Sequence, residues 1–414
     1  MKVVDAADAP SSLGTAGERI DLVVDAAYGT GFKGTYDAPS VPEGTNVLAV
    51  DIPSGVDGDT GAVSGAALRA DTTVTFAALK PGLLQGDGPA LTGRVELADI
   101  GLDASRAHIW LVEDEDVRRL VPPRARDSYK WQSAVVVIAG SPGMVGAASF
   151  SAMAAYRSGA GMVRLAVPGA SEEELPATEA VAVEIDRHGW AGQVLEVAKR
   201  CKAVVIGPGL GRDPDTATDV RSVVASSPVP VVVDADGLFA LGKAEEVAEV
   251  VGARRGEAGP VVLTPHSGEF ANIFGRPPGE DHIEEAQDAS VATGCVFLLK
   301  GPTTVVASAG TDDQRRVRVV MSGGPNLATA GTGDVLSGAI GAFIARGAEP
   351  FEAAALAAHV HGRAASLGPT EGLVAGDLPD LIARWLSFER TGGSCTGGER
   401  SGRWGRSGRR GRSG

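Results

Sequence analysis

Five short, wholly apolar runs limit the fold of this chain more than any other feature: Ala134-Val-Val-Val-Ile-Ala139, Ala203-Val-Val-Ile206, Val231-Val-Val233, Val261-Val-Leu263 and Val296-Phe-Leu-Leu299. Runs this short, rich in β-branched residues and lacking a polar face, read as strands buried on both sides, the situation of a parallel sheet covered by helices. Each run releases a polar loop that carries Gly or Pro. These are Gly140-Ser-Pro-Gly-Met-Val-Gly146, Gly207-Pro-Gly-Leu-Gly211, Asp234-Ala-Asp-Gly237, Thr264-Pro-His-Ser-Gly-Glu269 and Lys300-Gly-Pro-Thr-Thr304. In an open α/β sheet such loops gather along one edge and form the site there. The expected fold class is therefore a three-layer α/β/α domain on a mostly parallel sheet.

A sixth loop joins them at Asn326-Leu-Ala-Thr-Ala-Gly-Thr-Gly-Asp-Val-Leu-Ser-Gly338. Gly331 and Gly333 free the backbone for φ > 0 and close approach, and Val335 to Ala345 reads as a buried helix, so the turn delivers bare N–H groups to a helix start. That is an anion cradle. Asp334 lies in the first helical turn, where it would repel a phosphate unless the phosphate rests on the backbone and the carboxylate reaches a neighbouring group to take its proton. The competing reading makes Asp334 a helix cap and the glycines a simple turn.

The other loops carry their own signals. Lys300 ends an apolar strand, where a charge is costly unless it is paired, which points to an anionic phosphate partner. Thr303 and Thr304 beside it can donate to the same phosphates. His266 follows Thr-Pro at a strand end with Glu269 three residues on, a placement suited to ligand contact. Asp234 and Asp236 fit either a magnesium site or a helix cap, and the Gly207 loop reads as a structural turn. His359 and His361, on the alanine-rich helix Phe351 to Ala365, read as packing or supporting groups.

With 414 residues, 43% of them hydrophobic and 22% charged, the chain can build two domains with cores of their own. A formal net charge of −14 argues against general nucleic-acid affinity. Cys201, Cys295 and Cys395 have neither metal-ligand spacing nor a disulfide pattern, which suits a reducing compartment. No apolar run approaches the roughly 20 residues that span a bilayer, and no leader-like segment opens the chain. The expectation is a cytoplasmic protein without a membrane partner.

Residues 1–104 read as a separate, smaller α/β domain. Asp21-Leu-Val-Val-Asp25 and Asn46-Val-Leu-Ala-Val-Asp51 are apolar runs that end on an aspartate, as parallel strands do when they deliver a carboxylate to a sheet edge. The loops after them are Ala26-Ala-Tyr-Gly-Thr-Gly-Phe-Lys-Gly34 and Ile52-Pro-Ser-Gly-Val-Asp57. Glycines let such a loop wrap a phosphate, and a Ser oxygen beside a carboxylate can hold a monovalent cation. Aspartates that only cap turns remain the alternative. Between the domains, the charged stretch 105–124 ends on Pro122-Pro123 and reads as a linker.

Four segments of the first domain resemble the second half of the NAD(P)H-hydrate epimerase domain: Val24-Asp25-Ala26 with Gly29-Thr30-Gly31, Ala49 to Asp57, Ala70 to Phe76, and Lys80-Pro-Gly-Leu83. The resemblance implies potassium at Asp25 and Ser54. It implies substrate at Gly29, Thr30, Gly31, Phe32, Lys33, Gly34, Thr35 and Asp51. The family's Asn-Gly-Gly-Asp-Gly loop has no counterpart here, so this partial Rossmann-like domain is expected to be truncated and to have lost epimerase activity.

The ordered series from Gly140-Ser-Pro-Gly through Arg157-Ser-Gly-Ala-Gly161, the Gly207, Asp234, Thr264 and Lys300 loops, to Ala330-Gly-Thr-Gly-Asp334 resembles the ADP-dependent NAD(P)H-hydrate dehydratases, which are ribokinase-like. The match spans about residues 125–388. The resemblance implies ADP or ATP on Lys300, Gly301, Pro302, Thr303, Thr304 and Gly333, with magnesium. It implies the hydrated dinucleotide NAD(P)HX on Ala148, Gly209, His266 and Asp334, with Asp334 as the catalytic base. It also implies a homo-oligomer, and a metabolite-repair reaction in which the S epimer of the hydrate is dehydrated to NADH or NADPH while ADP yields AMP and phosphate.

Two rival functions remain at this level. One is a ribokinase-like kinase that stops at phosphoryl transfer to a vitamin precursor or sugar; the other is a catalytically silent nucleotide-binding protein. Residues 389–414, rich in Arg, Gly and Ser, are too poor in apolar side chains to fold alone and read as a disordered tail.

Overall fold

The computed structural model describes residues 3–14, 19–175, 179–254, 259–309, 316–391 and 404–405. The chain forms two compact units, one made chiefly of residues 1–107 and one chiefly of 108–395.

The first unit is a small parallel sheet of β1 (Leu22–Asp25), β2 (Asn46–Val50), β3 (Thr72–Phe76) and β4 (Arg94–Ala98), paired in that order, with one short helix, α1 (Gly88–Leu91), before β4. Strand alternation is visible in β2, where Val47 and Ala49 are buried while Leu48 and Val50 are half-buried. β1 ends on Asp25 and β2 stops one residue before Asp51, so both carboxylates leave the same edge. Trp404–Gly405 pair parallel with β4 as a two-residue strand. The rest of the expected disordered tail beyond Thr391 lies outside the described residues.

The second unit opens with β5 (Ile109–Leu111) and α2 (Asp114–Leu120). This corrects the expected linker at 105–124: β5 pairs with a strand near the far end of the unit, and α2 buries Val117. Its first turn of Asp114, Glu115 and Asp116 and last turn of Arg118 and Arg119 complement the helix dipole, so the charge run that suggests a linker is a helix pattern. There follow β6 (Ala134–Ile138), α3 (Val145–Arg157), β7 (Met162–Ala166), β8 (Val181–Val183), α4 (Ala191–Ala198), β9 (Ala203–Ile206), α5 (Pro214–Ser226) and β10 (Val231–Val233). Then come α6 (Asp236–Leu241), α7 (Ala244–Gly252), β11 (Val261–Leu263), α8 (Ser267–Phe274), α9 (His282–Thr293), β12 (Val296–Leu299), β13 (Thr304–Ser308) and β14 (Arg316–Val320). Three long helices complete it: α10 (Thr332–Ala345), α11 (Pro350–Ala365) and α12 (Leu378–Thr391).

The sheet runs β5-β14-β13-β12-β11-β10-β9-β6-β7-β8. The five apolar runs are its parallel centre, and β6, β9, β10, β11 and β12 are buried at every position. The β13–β14 hairpin is antiparallel. It begins at Thr304, so the segment read as one loop from Lys300 turns straight back into the sheet. Helix α10 is buried at every residue from Val335 to Ala345, as expected of an all-apolar helix in a layered core. It touches α3 so closely that a Cβ on Gly338 would lie 2.1 Å from the Ser151 carbonyl oxygen.

Candidate active site

Because β10, β11 and β12 are adjacent and parallel, the residues that follow them emerge side by side: Asp234 after Val233, His266 after Leu263 and Lys300 after Leu299. The Lys300 N–H donates to the Pro265 carbonyl at 2.8 Å, which ties two of these loops together. They border a cavity of about 840 Å³, closed on its other sides by the 323–330 loop, the start of α10, and Ala358 and His361 of α11. That volume suits a nucleotide-sized ligand.

Helix α10 begins at Gly331, which has φ of 89°, a left-handed conformation that glycine adopts without strain. The Thr332 hydroxyl donates to the Leu327 and Thr329 carbonyls and folds the loop under the helix start. The Gly333 and Asp334 N–H groups have no hydrogen-bond partner among the described residues. They are open donors at a helix N-terminus, with Lys300 Nζ 3.4 Å and Asp234 Oδ2 3.6 Å from where a Gly333 Cβ would be. These bare N–H groups are the feature on which the anion-cradle reading depends.

Lys300 Nζ is 2.9 Å from Asp234 Oδ1 and 3.6 Å from Glu269 Oε2. The charge that the sequence reading assigns to a phosphate is thus already answered inside the protein by Asp234, a residue that reading leaves between metal site and helix cap. Burial alone would lower the Lys300 pKa, but Asp234, Glu269 and Asp334 together raise it above the usual lysine value. Asp236 instead accepts from the Gly211 N–H at 2.9 Å and pairs with Arg212, which pins the two neighbouring loops.

Asp334 is pushed up to about 7, first by burial and next by the Asp234 charge, with Lys300 opposing. A carboxyl with that value exchanges its proton near neutrality, which is what a general base requires. His266 caps α8: its Nδ1 accepts from the Gly268 N–H at 2.9 Å and the Glu269 N–H at 3.3 Å, while its own N–H donates to Glu269. With Nδ1 occupied as acceptor, Nε2 carries the ring proton and stands 3.6 Å from Glu269 Oε2.

Of the residues predicted for nucleotide, Lys300, Gly301, Pro302, Thr304 and Gly333 line the cavity; Thr303 is buried and does not. Of those predicted for the hydrate, His266 and Asp334 line it, whereas Ala148, on α3, and Gly209 both stand beside Gly140. Ala148 is wholly buried, and Gly209 accepts through its carbonyl from the Ser141 hydroxyl at 3.1 Å. His359 is a packing group, as expected, bonded to Asp114 at 2.7 Å and edge-on to Trp385. His361, read the same way, instead borders the cavity. Its signal in sequence, a second histidine two positions from His359 and so on the opposite side of the helix, is legible only once a helix is assumed.

In the first unit, Asp25 takes Ser54 Oγ at 2.6 Å and the Ser54 N–H at 2.8 Å, and Ser54 Oγ also lies 3.2 Å from the Tyr28 carbonyl. Asp51 has φ of 73°, and its Oδ1 is held by Lys80, Thr75 and the Phe76 N–H. Lys80, quoted in the sequence motif without a role, is thus the cation that fixes Asp51. The loop of Gly29, Thr30, Gly31, Phe32, Lys33, Gly34 and Thr35 is largely exposed, with Lys33 Nζ 2.8 Å from Asp57.

Comparison with known proteins agrees with this division. A family model described as NAD(P)H-hydrate dehydratase matches residues 135–387, and one described as YjeF-related protein N-terminus matches 2–82. A bifunctional NAD(P)H-hydrate repair enzyme from Moorella thermoacetica is 38% identical over 87% of this chain and 72% of its own length. Its counterpart from Salinibacter ruber is 40% identical over 90% of this chain and 72% of its own length. Among solved structures, the ADP/ATP-dependent NAD(P)H-hydrate dehydratase of Bacillus subtilis, co-crystallised with ATP and Mg2+, superposes with a TM-score of 0.54 at 29% identity, over 67% of this chain and 97% of that one. A ribokinase-like protein of Enterococcus faecalis, at 24% identity and a TM-score of 0.57, shares the fold. Two family models in the order of the two units, and relatives that span both, place this chain in the family of bifunctional NAD(P)H-hydrate repair enzymes.

Proposed function

We propose that this protein repairs hydrated NADH and NADPH, dehydrating the S epimer with ADP or ATP as co-substrate, and that the cavity around Asp334 is where it does so. The observation that carries the reading is the convergence of open N–H donors at Gly333 and Asp334, the Lys300 ammonium, and a carboxyl shifted to about 7, all on one cavity.

The chemistry follows from those groups. The hydrate carries a hydroxyl on a saturated ring carbon, and hydroxide leaves poorly. The Asp334 carboxylate takes the hydroxyl proton as the oxygen forms a bond to the terminal phosphorus of ADP and the bond to the AMP oxygen breaks. The Gly333 and Asp334 N–H groups and Lys300 hold the charge that develops on the phosphoryl oxygens. The ring nitrogen's lone pair then expels phosphate from the carbon, and loss of a proton from the adjacent carbon restores the dihydronicotinamide double bond.

Magnesium would enter with the nucleotide phosphates, because the cavity carboxylates Asp234 and Glu269 already face Lys300 Nζ at 2.9 and 3.6 Å. When bound it neutralises phosphate charge. Lys300, Gly301, Pro302, Thr304 and Gly333 would bind the nucleotide. His266 would contact the hydrate through Nε2, and Ala148, Gly209 and Thr303 contribute through backbone or by shaping the neighbouring loops. In the first unit, the convergence of Asp25 carboxylate, Ser54 hydroxyl and Tyr28 carbonyl supports potassium there. A homo-oligomer in the cytoplasm completes the proposal; no described helix is long and apolar enough to cross a membrane.

The test is recovery of dihydronicotinamide near-ultraviolet absorbance from separated hydrate epimers with ADP and magnesium. Recovery from the S epimer with stoichiometric AMP and phosphate supports the dehydratase. A stable phosphorylated product would make the protein a kinase, and unchanged ADP would leave it a binding protein.

A further inference from the structure

The catalytic cavity lies where the strands of the large sheet end; a second cavity, of about 300 Å³, opens where two of them begin. Its walls come from Ser133, just before β6, from Gly161, just before β7, from the 122–130 segment, and from Arg346 at the end of α10. Gly161 closes the Arg157-Ser-Gly-Ala-Gly161 run, a motif of the sequence that the catalytic cavity does not use.

Two glycines of that run shape the walls. Gly159 has φ of 102°, and a Cβ there would lie 3.1 Å from Arg346 Cδ and 3.2 Å from its Nη1. A Cβ on Gly161 would lie 2.6 Å from the Lys130 carbonyl oxygen and 2.9 Å from Ser133 Oγ. The turn after α3 therefore carries no side chain where the Arg346 guanidinium and the 130–133 turn press against it.

Arg124, Lys130 and Arg346 border the cavity, and among the described residues no carboxylate side chain does. Part of this charge caps helix ends. Arg124 Nη2 donates to the Gly159 and Ala160 carbonyls at 2.9 and 2.8 Å, and Arg346 donates to the Ser158 and Pro122 carbonyls at 3.0 and 2.8 Å. Carbonyls are neutral, so these bonds orient the guanidiniums without cancelling their charge. Among the described residues, Arg124 Nε and Nη1 and Lys130 Nζ have no hydrogen-bond or ion-pair partner.

Capping does not account for Ser133. It is only 9% exposed and lines the cavity, yet its hydroxyl has no hydrogen-bond partner among the described residues. A buried hydroxyl without a partner is costly, and a ligand oxygen in the cavity would relieve it.

We propose that this cavity binds a phosphate group, held by the open N–H donors of Arg124, the Lys130 ammonium and the Ser133 hydroxyl, with Arg346 as a flanking positive charge. Donors arrive from three separate residues, which suits the three or more oxygens of a phosphate better than the two of a carboxylate. A volume of about 300 Å³ is at the small end of ligand sites and fits a phosphate with a small appended group. Helix α10 spans roughly 20 Å between its open N-terminus in the catalytic cavity and Arg346, so both sites can be filled at once.

The experiment titrates inorganic phosphate calorimetrically into the full chain at constant ionic strength, with and without ADP and magnesium, because the start of α10 is itself a candidate phosphate site. The expected result is a phosphate site that persists when ADP is present. Its affinity should fall on the order of 10-fold or more in Lys130→Glu and a few-fold in Ser133→Ala. Lys130 has no side-chain bond to lose, so its variant should stay folded, whereas Arg124→Gln also removes a helix cap and serves as a supporting variant. Titration with AMP identifies the source of the group: tighter binding than phosphate at the Lys130-dependent site assigns it to a nucleotide, and equal or weaker binding to the free ion. Absence of both phosphate and AMP from that site in the folded wild-type chain would overturn the proposal. So would wild-type phosphate affinity in both Lys130→Glu and Ser133→Ala. No arm measures turnover, so the outcome is independent of the dehydratase reading.

Discussion

Lys300 Nζ lies 2.9 Å from Asp234 Oδ1 at the mouth of the α10 N-terminus, so the cation offered to a phosphate is held by a buried carboxylate before any ligand arrives. The pair preorganises Lys300 and also loads Asp334 with negative potential, since Asp234 is the main charge raising its pKa.

Removing one member of that pair strands the other. Lys300→Ala leaves the Asp234 carboxylate buried and unpaired, and breaking a buried pair costs about 3–5 kcal/mol. The expected result in denaturant titration is a loss of that order, together with sharply weaker ADP binding. Asp234→Asn tests the other side: Asp334 should titrate lower, and the acid limb of the pH–rate profile should move toward lower pH.

Asp334→Asn keeps the shape of the first turn and removes the base. ADP affinity should stay within a few-fold, while turnover should fall by about 100-fold to 10,000-fold, the range of general-base catalysis. In the unsubstituted enzyme, kcat/KM should rise with pH through about 7 and level off above it, because the free base is the ionised carboxylate. Unchanged turnover in the Asn variant would remove Asp334 from the base role.

The same substitution carries a stability signature of the opposite sign. Asp334 holds its proton more tightly folded than unfolded, so the folded protein binds more protons between about pH 4 and 7 and its stability falls as pH rises through that window. Asp334→Asn should therefore raise Tm at pH 8, with the advantage vanishing towards pH 4. A Tm gain that is independent of pH would show that ionisation is not its source.

Gly338→Ala probes the seating of α10. An added Cβ would lie 2.1 Å from the Ser151 carbonyl oxygen of α3, a contact that only backbone movement can relieve. In an isolated helix this substitution would stabilise by about 1 kcal/mol, yet here overpacking should destabilise by about 1–3 kcal/mol or more. Thermal unfolding of the variant distinguishes the two by sign.

Sequence alone determined the fold class and which loops follow the buried strands. The apolar runs at 134–139, 203–206, 231–233, 261–263 and 296–299 could be satisfied only by burial on both faces, and a parallel sheet places the loops after them on one edge. Gly331 and Asp334 were legible because a left-handed turn into an apolar helix has few other spellings. The β5–α2 segment was not legible as structure, because an edge strand and a short helix take their stability from partners far along the chain, β14 and the helices beyond it. Nor could sequence say that Lys300 pairs with Asp234, 66 positions away, or that Gly338 is required by Ser151. It likewise left His361 undistinguished from His359. Pairing of this kind depends on which strands are neighbours and how closely helices pack, and only tertiary structure decides it.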